Sequence, residues 1–314
     1  MNNIETPDWN EVVDKAKASF MGVALGDALG ATTEFMTSRE IKVQFGVHKQ
    51  IIGKGWLYLK PGQVTDDTEM SIWMGRAIQN SEGWDLSAIA EAFAHWMKSR
   101  PVDIGSTCSR GIKNYIVHHR LEVPPSPWDA GNGALMRMVP VALYSLGDKK
   151  ILCRYAVEQA HLTHNNPLSD AACIFFGQLV HRAIMGDTLN QLRALADDFV
   201  SVHPKFHYHP YSKNSSAYVV DTVQTVFHFL FSTSSFEECL VNTVNQGGDA
   251  DTTGALAGML AGALYGIQGI PKHWLKRLDP KVSSEVPKLA EYLVSHSPLS
   301  RTEKIKRLKL RGQQ

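Results

Sequence analysis

Residues 254–270 read GALAGMLAGALYGIQGI, a run of 17 residues without a charged side chain. The run is short for a membrane-spanning helix, carboxylates crowd its start and Pro271 ends it. Glycine recurs at every fourth position from 254 to 266, and again from 22 to 30, so each set lies along one face of a helix. Because glycine weakens a helix interior by about 1 kcal/mol, close packing of backbones is a plausible compensation. The pattern predicts two small-residue helices buried at the centre of the protein.

Helical periodicity dominates the rest of the chain, and alternating strand patterns are scarce. Only residues 50–60 (QIIGKGWLYLK) are ambiguous, so we expect an all-α fold with at most a minor hairpin. Long surface loops are expected at 46–63, 119–131 and 201–217. The predicted helices span 10–30, 68–80, 86–99, 104–118, 133–147, 149–161, 168–186, 218–231, 235–245, 252–268, 284–296 and 298–310.

The composition is that of a globular protein of 314 residues with 32 Lys+Arg and 31 Asp+Glu, a net charge of +1. This balance gives no electrostatic drive toward nucleic acid. The basic stretch 301–314 is expected to be a solvated end of the last helix. Four cysteines without CxxC spacing predict reduced thiols, and no signal peptide or transmembrane segment is expected. With neither a linker nor a repeat, we expect one domain over 1–314.

Two acidic clusters stand where a loop enters a predicted helix: QVTDDTE at 63–69 and NQGGDADTT at 245–253. Carboxylates are favourable at helix N-termini, so each cluster could be an elaborate N-cap. However, adjacent Asp residues repel each other unless a cation lies between them. If the clusters meet in space, Asp66, Asp67, Asp249 and Asp251 carry four negative charges, enough to balance two divalent ions. The neutral oxygens of Thr65 and Thr252 could complete a hard-oxygen set, which selects Mg²⁺, Mn²⁺ or Ca²⁺ over Zn²⁺.

These residues belong to four segments that occur in a familiar order: GVALGDALGATTE at 22–34, TDDT at 65–68, GNGALMR at 131–137 and GDADTTG at 248–254. In this order they resemble the ADP-ribosylglycohydrolase family, over roughly residues 20–270. The stretches GWLYLKPGQ at 55–63 and PVDIG at 101–105 are most similar to the subfamily that acts on the nitrogenase iron protein.

The resemblance implies a compact orthogonal bundle of helices with a two-metal centre, Mn²⁺ or Mg²⁺, in a central cleft. Glu34 would be a metal ligand or the base for a bound water, and Asp103 would be an active acid. The loop Gly131, Asn132, Gly133 and Ala134 would hold phosphate through backbone N–H groups. His164 and Tyr218 would contact the ADP-ribose moiety. The metal shell would be Thr65, Asp66, Asp67, Asp249, Asp251 and Thr252.

Each of these assignments has a structural alternative. Glu34 could be an exposed helix end, Asp103 a plain N-cap, His164 a surface loop residue and Tyr218 a core residue. His203, His207 and His209 suggest zinc by composition, but Pro204 and Pro210 break any shared helical face, so an aromatic loop is the preferred interpretation.

The activity implied by the resemblance is hydrolysis of the N-glycosidic bond between ADP-ribose and a protein arginine. This would reactivate ADP-ribosylated nitrogenase iron protein (dinitrogenase reductase). A cytoplasmic enzyme is expected, with control by a nitrogen-regulatory signalling protein, peripherally at the membrane. The alternatives are hydrolysis of ADP-ribosyl-serine or O-acetyl-ADP-ribose, a non-catalytic ADP-ribose-binding relative, and a metal-dependent phosphoesterase.

Overall fold

A computed structural model describes residues 7–303, and within that range the chain folds into α-helices without a β-strand, as predicted. Two short 3₁₀ helices lie at Pro204–Phe206 and Ile267–Gly269, and residues 298–303 are also helical. The α-helices are α1 Trp9–Gly30, α2 Ser38–Phe45, α3 Asp66–Asn80, α4 Leu86–Lys98, α5 Ser106–His118, α6 Val139–Tyr144, α7 Lys149–His161, α8 Pro167–Ile184, α9 Leu189–Val202, α10 Val219–Ser232, α11 Phe236–Val244, α12 Ala250–Tyr265, α13 Lys272–Leu275 and α14 Pro280–Ser295.

The two glycine-rich helices, α1 and α12, pack against each other at the centre in antiparallel directions. A Cβ atom on Gly22 would lie 2.0 Å from the Gly258 carbonyl oxygen, and one on Gly26 would lie 1.9 Å from that of Gly254. The Ser19 hydroxyl donates a hydrogen bond across the interface to the Met259 carbonyl, at 2.9 Å. Backbone therefore packs directly on backbone, which confirms the interpretation of the glycine spacing.

Two helix boundaries and one missed helix illustrate how the structure differs from the sequence prediction. The helix expected at 133–147 begins only at Val139, because Pro140 is tolerated in a first turn but not inside a helix. The last central helix ends at Tyr265, where Gly266 forms its C-cap with φ 67°. Helix α2 was missed, although Thr37 and Glu40 form a capping box that the pattern T-x-x-E could have revealed.

The ambiguous segment 50–60 forms a tight turn in place of a hairpin. Lys54 and Leu59 exchange two backbone hydrogen bonds of 2.6 and 2.9 Å, an isolated bridge with no continuation. The Thr32 hydroxyl donates to the Gly53 carbonyl at 2.9 Å, which holds this turn against the end of α1. The loop that follows leads directly into the first acidic cluster.

The structure also bears on the cysteines and on the long apolar helices. The four cysteines are free, and three of them are buried. None of the helices within 7–303 has the length and apolar character needed to cross a bilayer. Most of the basic stretch 301–314 lies outside the described residues, as does the C-terminal part of the helix predicted at 298–310.

Candidate metal centre and active site

The two acidic clusters meet in space. Asp66 and Asp67 open α3, while Asp249 is the N-cap residue of α12 and Asp251 lies in its first turn. The Thr252 hydroxyl donates to Asp67 Oδ2 at 3.2 Å and so joins two turns that are far apart in sequence. Neither N-cap residue, Thr65 or Asp249, caps its helix through its side chain, so simple capping does not explain the clusters.

Glu34 and Asp103 complete the group of carboxylates. Glu34, Asp103 and Asp251 each place a carboxylate oxygen within 4.8 Å of the others. Glu34 is buried, which excludes an exposed helix end, and it accepts a 2.6 Å hydrogen bond from the Trp56 indole N–H. Asp103 does not cap α5, whose N-cap residue is Gly105; its Oδ1 accepts from the Ile104 amide at 2.8 Å.

Asp27, to which the sequence pattern assigned no role, anchors the first acidic turn. Its buried carboxylate accepts hydrogen bonds from the amides of Thr65 and Thr68 and from both of their hydroxyls, at 2.5–3.2 Å. Because Asp27 lies near the end of α1, these bonds fix the start of α3 against the central helix. An acid inside a glycine-rich helical motif was the signal that could have identified it.

The second acidic turn is locked to the segment that carries Glu34. The Phe35 amide donates to the Gly248 carbonyl at 2.7 Å, and the Gly248 amide donates to the Met36 carbonyl at 2.8 Å. Gly247 and Gly248 have φ of 75° and 65°, and a Cβ on Gly247 would lie 2.0 Å from the Met36 oxygen. Only glycine fits this close approach, so the Gly-Gly pair brings Glu34 beside the second cluster.

The carboxylates of the site have no cationic partner among residues 7–303. Burial, reinforced by neighbouring acids, raises the pKa of Glu34 to about 8 and that of Asp66 to about 8. The pKa values of Asp67 and Asp251 are raised well above their ordinary range, again chiefly by burial. Asp67 Oδ1 is buried without a hydrogen-bond partner. An unpartnered carboxylate oxygen within an all-oxygen cluster fits a hard divalent cation.

A cavity of about 290 Å³ opens beside this cluster. Three of the predicted site residues do not line it: Thr65 is fully buried with its hydroxyl bonded to Asp27, Ala134 lies in the core, and Tyr218 stands outside the cavity wall. The predicted residues that line the cavity are Glu34, Asp66, Asp67, Asp103, Gly131, Asn132, Gly133, His164, Asp249, Asp251 and Thr252.

The loop at 131–134 forms one wall of the cavity and is tied to the second acidic turn. The Asn132 side-chain amide donates to Asp249 Oδ2 at 2.5 Å and to the Thr222 hydroxyl at 3.0 Å. Its backbone amide is already bonded to the Ala217 carbonyl. In the part of the chain that the structure describes, the Gly133 amide makes no such bond, so it is free for an anion.

His164 is a buried residue of the cavity wall, which excludes a surface role. A Cβ on Gly131 would lie 3.0 Å from His164 Nε2, so the missing side chain makes room for the imidazole. Burial, followed by the charges of Arg137 and Arg110, lowers the His164 pKa well below its ordinary value and keeps the ring neutral. Arg137 was also missed: it donates to Thr163 Oγ1 at 2.7 Å, and that hydroxyl bonds His164 Nδ1.

Tyr218 is not a core residue. It is 39% exposed and pairs with Gly131 through an isolated backbone bridge next to the cavity. His203, His207 and His209 do not form a cluster with metal-binding geometry; within the described residues the only such group of three is Glu34, Asp103 and Asp251. The preference for a loop over a zinc site at these histidines agrees with the structure.

A family model described as ADP-ribosylglycohydrolase matches residues 8–303. The chain belongs to the ADP-ribosylglycohydrolase family. It is 52% identical to ADP-ribosyl-[dinitrogen reductase] glycohydrolase of Rhodospirillum rubrum, over 90% of this chain and 97% of that protein. It is 28% identical to the ADP-ribosylarginine hydrolase Tri1 of Serratia proteamaculans, over 92% and 81% of the two chains. A solved structure, an ADP-ribosylglycohydrolase-related protein complex, superposes with a TM-score of 0.80 at 29% identity, over 92% of this chain and 99% of that one. These similarities confirm the resemblance and the all-α fold it implied.

Proposed function

We propose that the protein hydrolyses the N-glycosidic bond between ADP-ribose and an arginine of dinitrogenase reductase, the nitrogenase iron protein. The observation that carries this proposal is the convergence of Asp66, Asp67, Asp249 and Asp251 with Glu34 beside one cavity, in a member of this family. The 52% identity to a glycohydrolase named for that substrate supports the choice of acceptor.

In this proposal the carboxylate cluster holds two divalent cations, Mn²⁺ or Mg²⁺. The unpartnered Asp67 Oδ1 and the raised pKa values of the cluster support a cation at this position. When bound, the cations supply positive charge for orienting the ribose and activating water. The proposed ligand shell is Thr65, Asp66, Asp67, Asp249, Asp251 and Thr252.

The neighbouring residues are proposed to bind the nucleotide part of the substrate. The free amide of Gly133, with that of Gly131, would receive phosphate oxygens, since exposed amides in a small-residue turn attract anions, whereas Ala134 lies in the core and would support the turn from behind. Asn132 would act differently, because its side chain holds Asp249 and its own amide is bonded to Ala217. Neutral His164 and the half-exposed Tyr218 would contact the ADP-ribose moiety.

Hydrolysis breaks the bond between the ribose C1″ and a guanidinium nitrogen while a water oxygen bonds to C1″. Positive charge develops on the ribose, and the buried carboxylates favour it. The water loses one proton and the leaving guanidine gains one. Glu34 and Asp103 both line the cavity, and we propose that these two carboxyls carry the proton transfers.

The direct test is incubation with ADP-ribosylated dinitrogenase reductase, with and without Mn²⁺. We expect Mn²⁺-dependent loss of the modification and release of intact ADP-ribose. Release of AMP would identify a phosphoesterase, and turnover only of ADP-ribosyl-serine or O-acetyl-ADP-ribose would identify a different acceptor. Binding of ADP-ribose without turnover of any of these would identify a non-catalytic relative.

Control by a nitrogen-regulatory signalling protein, peripherally at the membrane, stays a prediction of the family resemblance. Co-purification from cells before and after a shift in nitrogen supply, with separate soluble and membrane fractions, would test both parts. We expect a partner in the membrane fraction under only one of the two conditions.

A further inference from the structure

A segment of unusual surface chemistry, residues 35–60, flanks the candidate active site; we call it the lip. Three of its aromatic side chains face solvent: Phe35 is 66% exposed, Trp56 47% and Tyr58 89%. Phe35 and Trp56 contact each other with ring centroids 5.2 Å apart. Clustered exposed aromatic side chains are typical of surfaces that bind another molecule.

The lip also carries a concentration of positive charge. It contains five basic residues and one acid, a net charge of +4, so the rest of the chain has a net charge of −3. The acid, Glu40, is held by the amide and hydroxyl of Thr37 and neutralises none of the bases. Among residues 7–303 no ion pair involves the basic side chains of the lip, all of them exposed: Arg39, Lys42, Lys49, Lys54 and Lys60.

The lip is continuous with the active site. A second cavity, of about 670 Å³, lies under it and shares Glu34, Phe35 and Trp56 with the first cavity. The Trp56 indole is bonded to Glu34, so the aromatic part of the lip is attached to a proposed catalytic carboxylate. A molecule seated on the lip would therefore have part of its surface at the mouth of the cleft.

Three residues of the lip with large side chains have the left-handed backbone conformation that favours glycine. Phe35, Lys54 and Tyr58 have φ of 61°, 67° and 55°. Left-handed conformations cost a side-chain-bearing residue about 1 kcal/mol or more. The backbones of Phe35 and Lys54 serve the fold through hydrogen bonds, but their exposed side chains bury little surface in the core to offset this cost. A role at the surface would explain why these positions are not glycine.

We propose that the lip is the docking surface for the folded protein that carries the ADP-ribosylated arginine. The lip would recognise an acidic patch with apolar side chains beside that arginine, because its own surface is basic and aromatic. This inference rests on the proposed function. Phe35 and Trp56 also line the first cavity, but the basic side chains of the lip and Tyr58 do not, so free ADP-ribosyl-arginine would be bound without their help.

The test compares two substrates in one set of variants. Lys42→Glu combined with Lys54→Asp reverses two charges of the lip, and Asp suits the left-handed backbone at position 54. Tyr58→Asn removes an exposed ring, and Asn likewise suits the left-handed backbone at position 58. We expect kcat/KM for ADP-ribosylated dinitrogenase reductase to fall by about 10-fold or more, mainly through KM, and kcat/KM for free ADP-ribosyl-arginine to change by less than about two-fold.

The matched control is Lys149→Glu combined with Lys150→Glu, at the start of α7. Both lysines are exposed, and α7 is 13 residues long, so they lie roughly 20 Å from the end that leads to His164. The control should process both substrates like the wild type. Rising ionic strength should slow the wild type on the protein substrate only, and the lip variant should lose that salt dependence.

The possible outcomes distinguish failure of the docking surface from failure of the proposed glycohydrolase activity. Wild-type protein that processes neither substrate would overturn the proposed function. Lip variants that retain wild-type kcat/KM on the protein substrate, or that lose both substrates equally, would overturn the docking surface alone. Loss of binding to vesicles rich in phosphatidylglycerol, with protein turnover intact, would assign the lip to a membrane surface and also overturn the inference.

Discussion

At the scale of single residues, the site is defined by acids that lack a counter-charge. Sequence reasoning identified most of them, because hard-oxygen side chains in two separate turns are poor capping groups and good cation ligands. The pattern could not decide between an active acid and an N-cap for Asp103, since both interpretations use the same residue type before a helix. The geometry of Gly105, the true N-cap residue, excludes the capping role.

Asp67→Asn tests whether the carboxylate cluster holds a cation. We expect Mn²⁺ affinity and turnover to fall by about 100-fold or more, because the unpartnered Oδ1 loses its charge. Titration calorimetry with Mn²⁺ and released ADP-ribose measure the two effects, while circular dichroism should show the same helix content. Asp198→Asn, an exposed acid without a side-chain bond, is the control. Unchanged Mn²⁺ binding in Asp67→Asn would remove the metal from the proposal.

Asp103→Asn separates chemistry from metal binding. If Asp103 moves a proton, the variant should keep its metal content and lose about 100-fold or more of kcat, since a positioned acid or base contributes that order of rate. Metal analysis together with single-turnover hydrolysis measures both properties. A variant that lost its metal and regained full rate with added Mn²⁺ would make Asp103 a ligand.

At the scale of elements, the sequence predicts the helices well and their junctions poorly. The four-residue spacing of glycine was sufficient to predict that α1 and α12 are buried and closely packed. The missed helix α2 has only Ile41 in the core, so its hydrophobic periodicity is weak. Asp27 was missed as an anchor because hydrogen bonds to Thr65 and Thr68 depend on tertiary contact, which a local pattern does not contain.

Gly26→Ala should destabilise the central helix pair. The added methyl group would lie 1.9 Å from the Gly254 oxygen, and two rigid backbones must move apart to admit it. We expect the free energy of unfolding to fall by about 3 kcal/mol, at the upper end of overpacking effects. Chemical denaturation measures it, with Gly83→Ala as the control because a Cβ there meets nothing closer than 3.7 Å. Equal stability of the two variants would show that α1 and α12 do not pack this closely.

Asp27→Asn should weaken the site without removing a proposed ligand. The variant can no longer accept every bond from Thr65 and Thr68, so the first acidic turn loses its alignment with α1. We expect Mn²⁺ affinity to fall by about 10- to 100-fold, the usual effect of a residue that supports metal ligands. Saturating Mn²⁺ should restore most of the turnover. Failure of saturating Mn²⁺ to restore it would assign Asp27 a direct part in the reaction.

At the scale of the whole molecule, the central helices bring together turns that lie more than 180 positions apart in the chain. The first turn is bonded to the end of α1 through Asp27, and the second turn opens α12. Because α1 and α12 are antiparallel, with Gly26 packed on Gly254, the end of α1 lies beside the start of α12. The two acidic turns therefore meet at that end of the helix pair. From the residues alone, the metal site was conditional on this meeting, which a sequence cannot demonstrate because register is a property of the packed structure.

This architecture predicts that the metal-free protein loses stability as pH rises. The ordinary pKa values of Glu34 and Asp66 are 4.5 and 3.8, and in the folded protein both are raised to about 8. Between these limits the folded state holds protons that the unfolded chain has released, so the free energy of unfolding decreases with pH up to about 8. We expect chelated protein to melt several degrees lower at pH 8 than at pH 6 in thermal unfolding.

Saturating Mn²⁺ should reduce this difference in melting temperature, because bound cations favour the charged carboxylates. The double variant Glu34→Gln with Asp66→Asn should reduce it without metal, and an equal melting temperature of the chelated wild type at both pH values would contradict the buried, uncompensated charge.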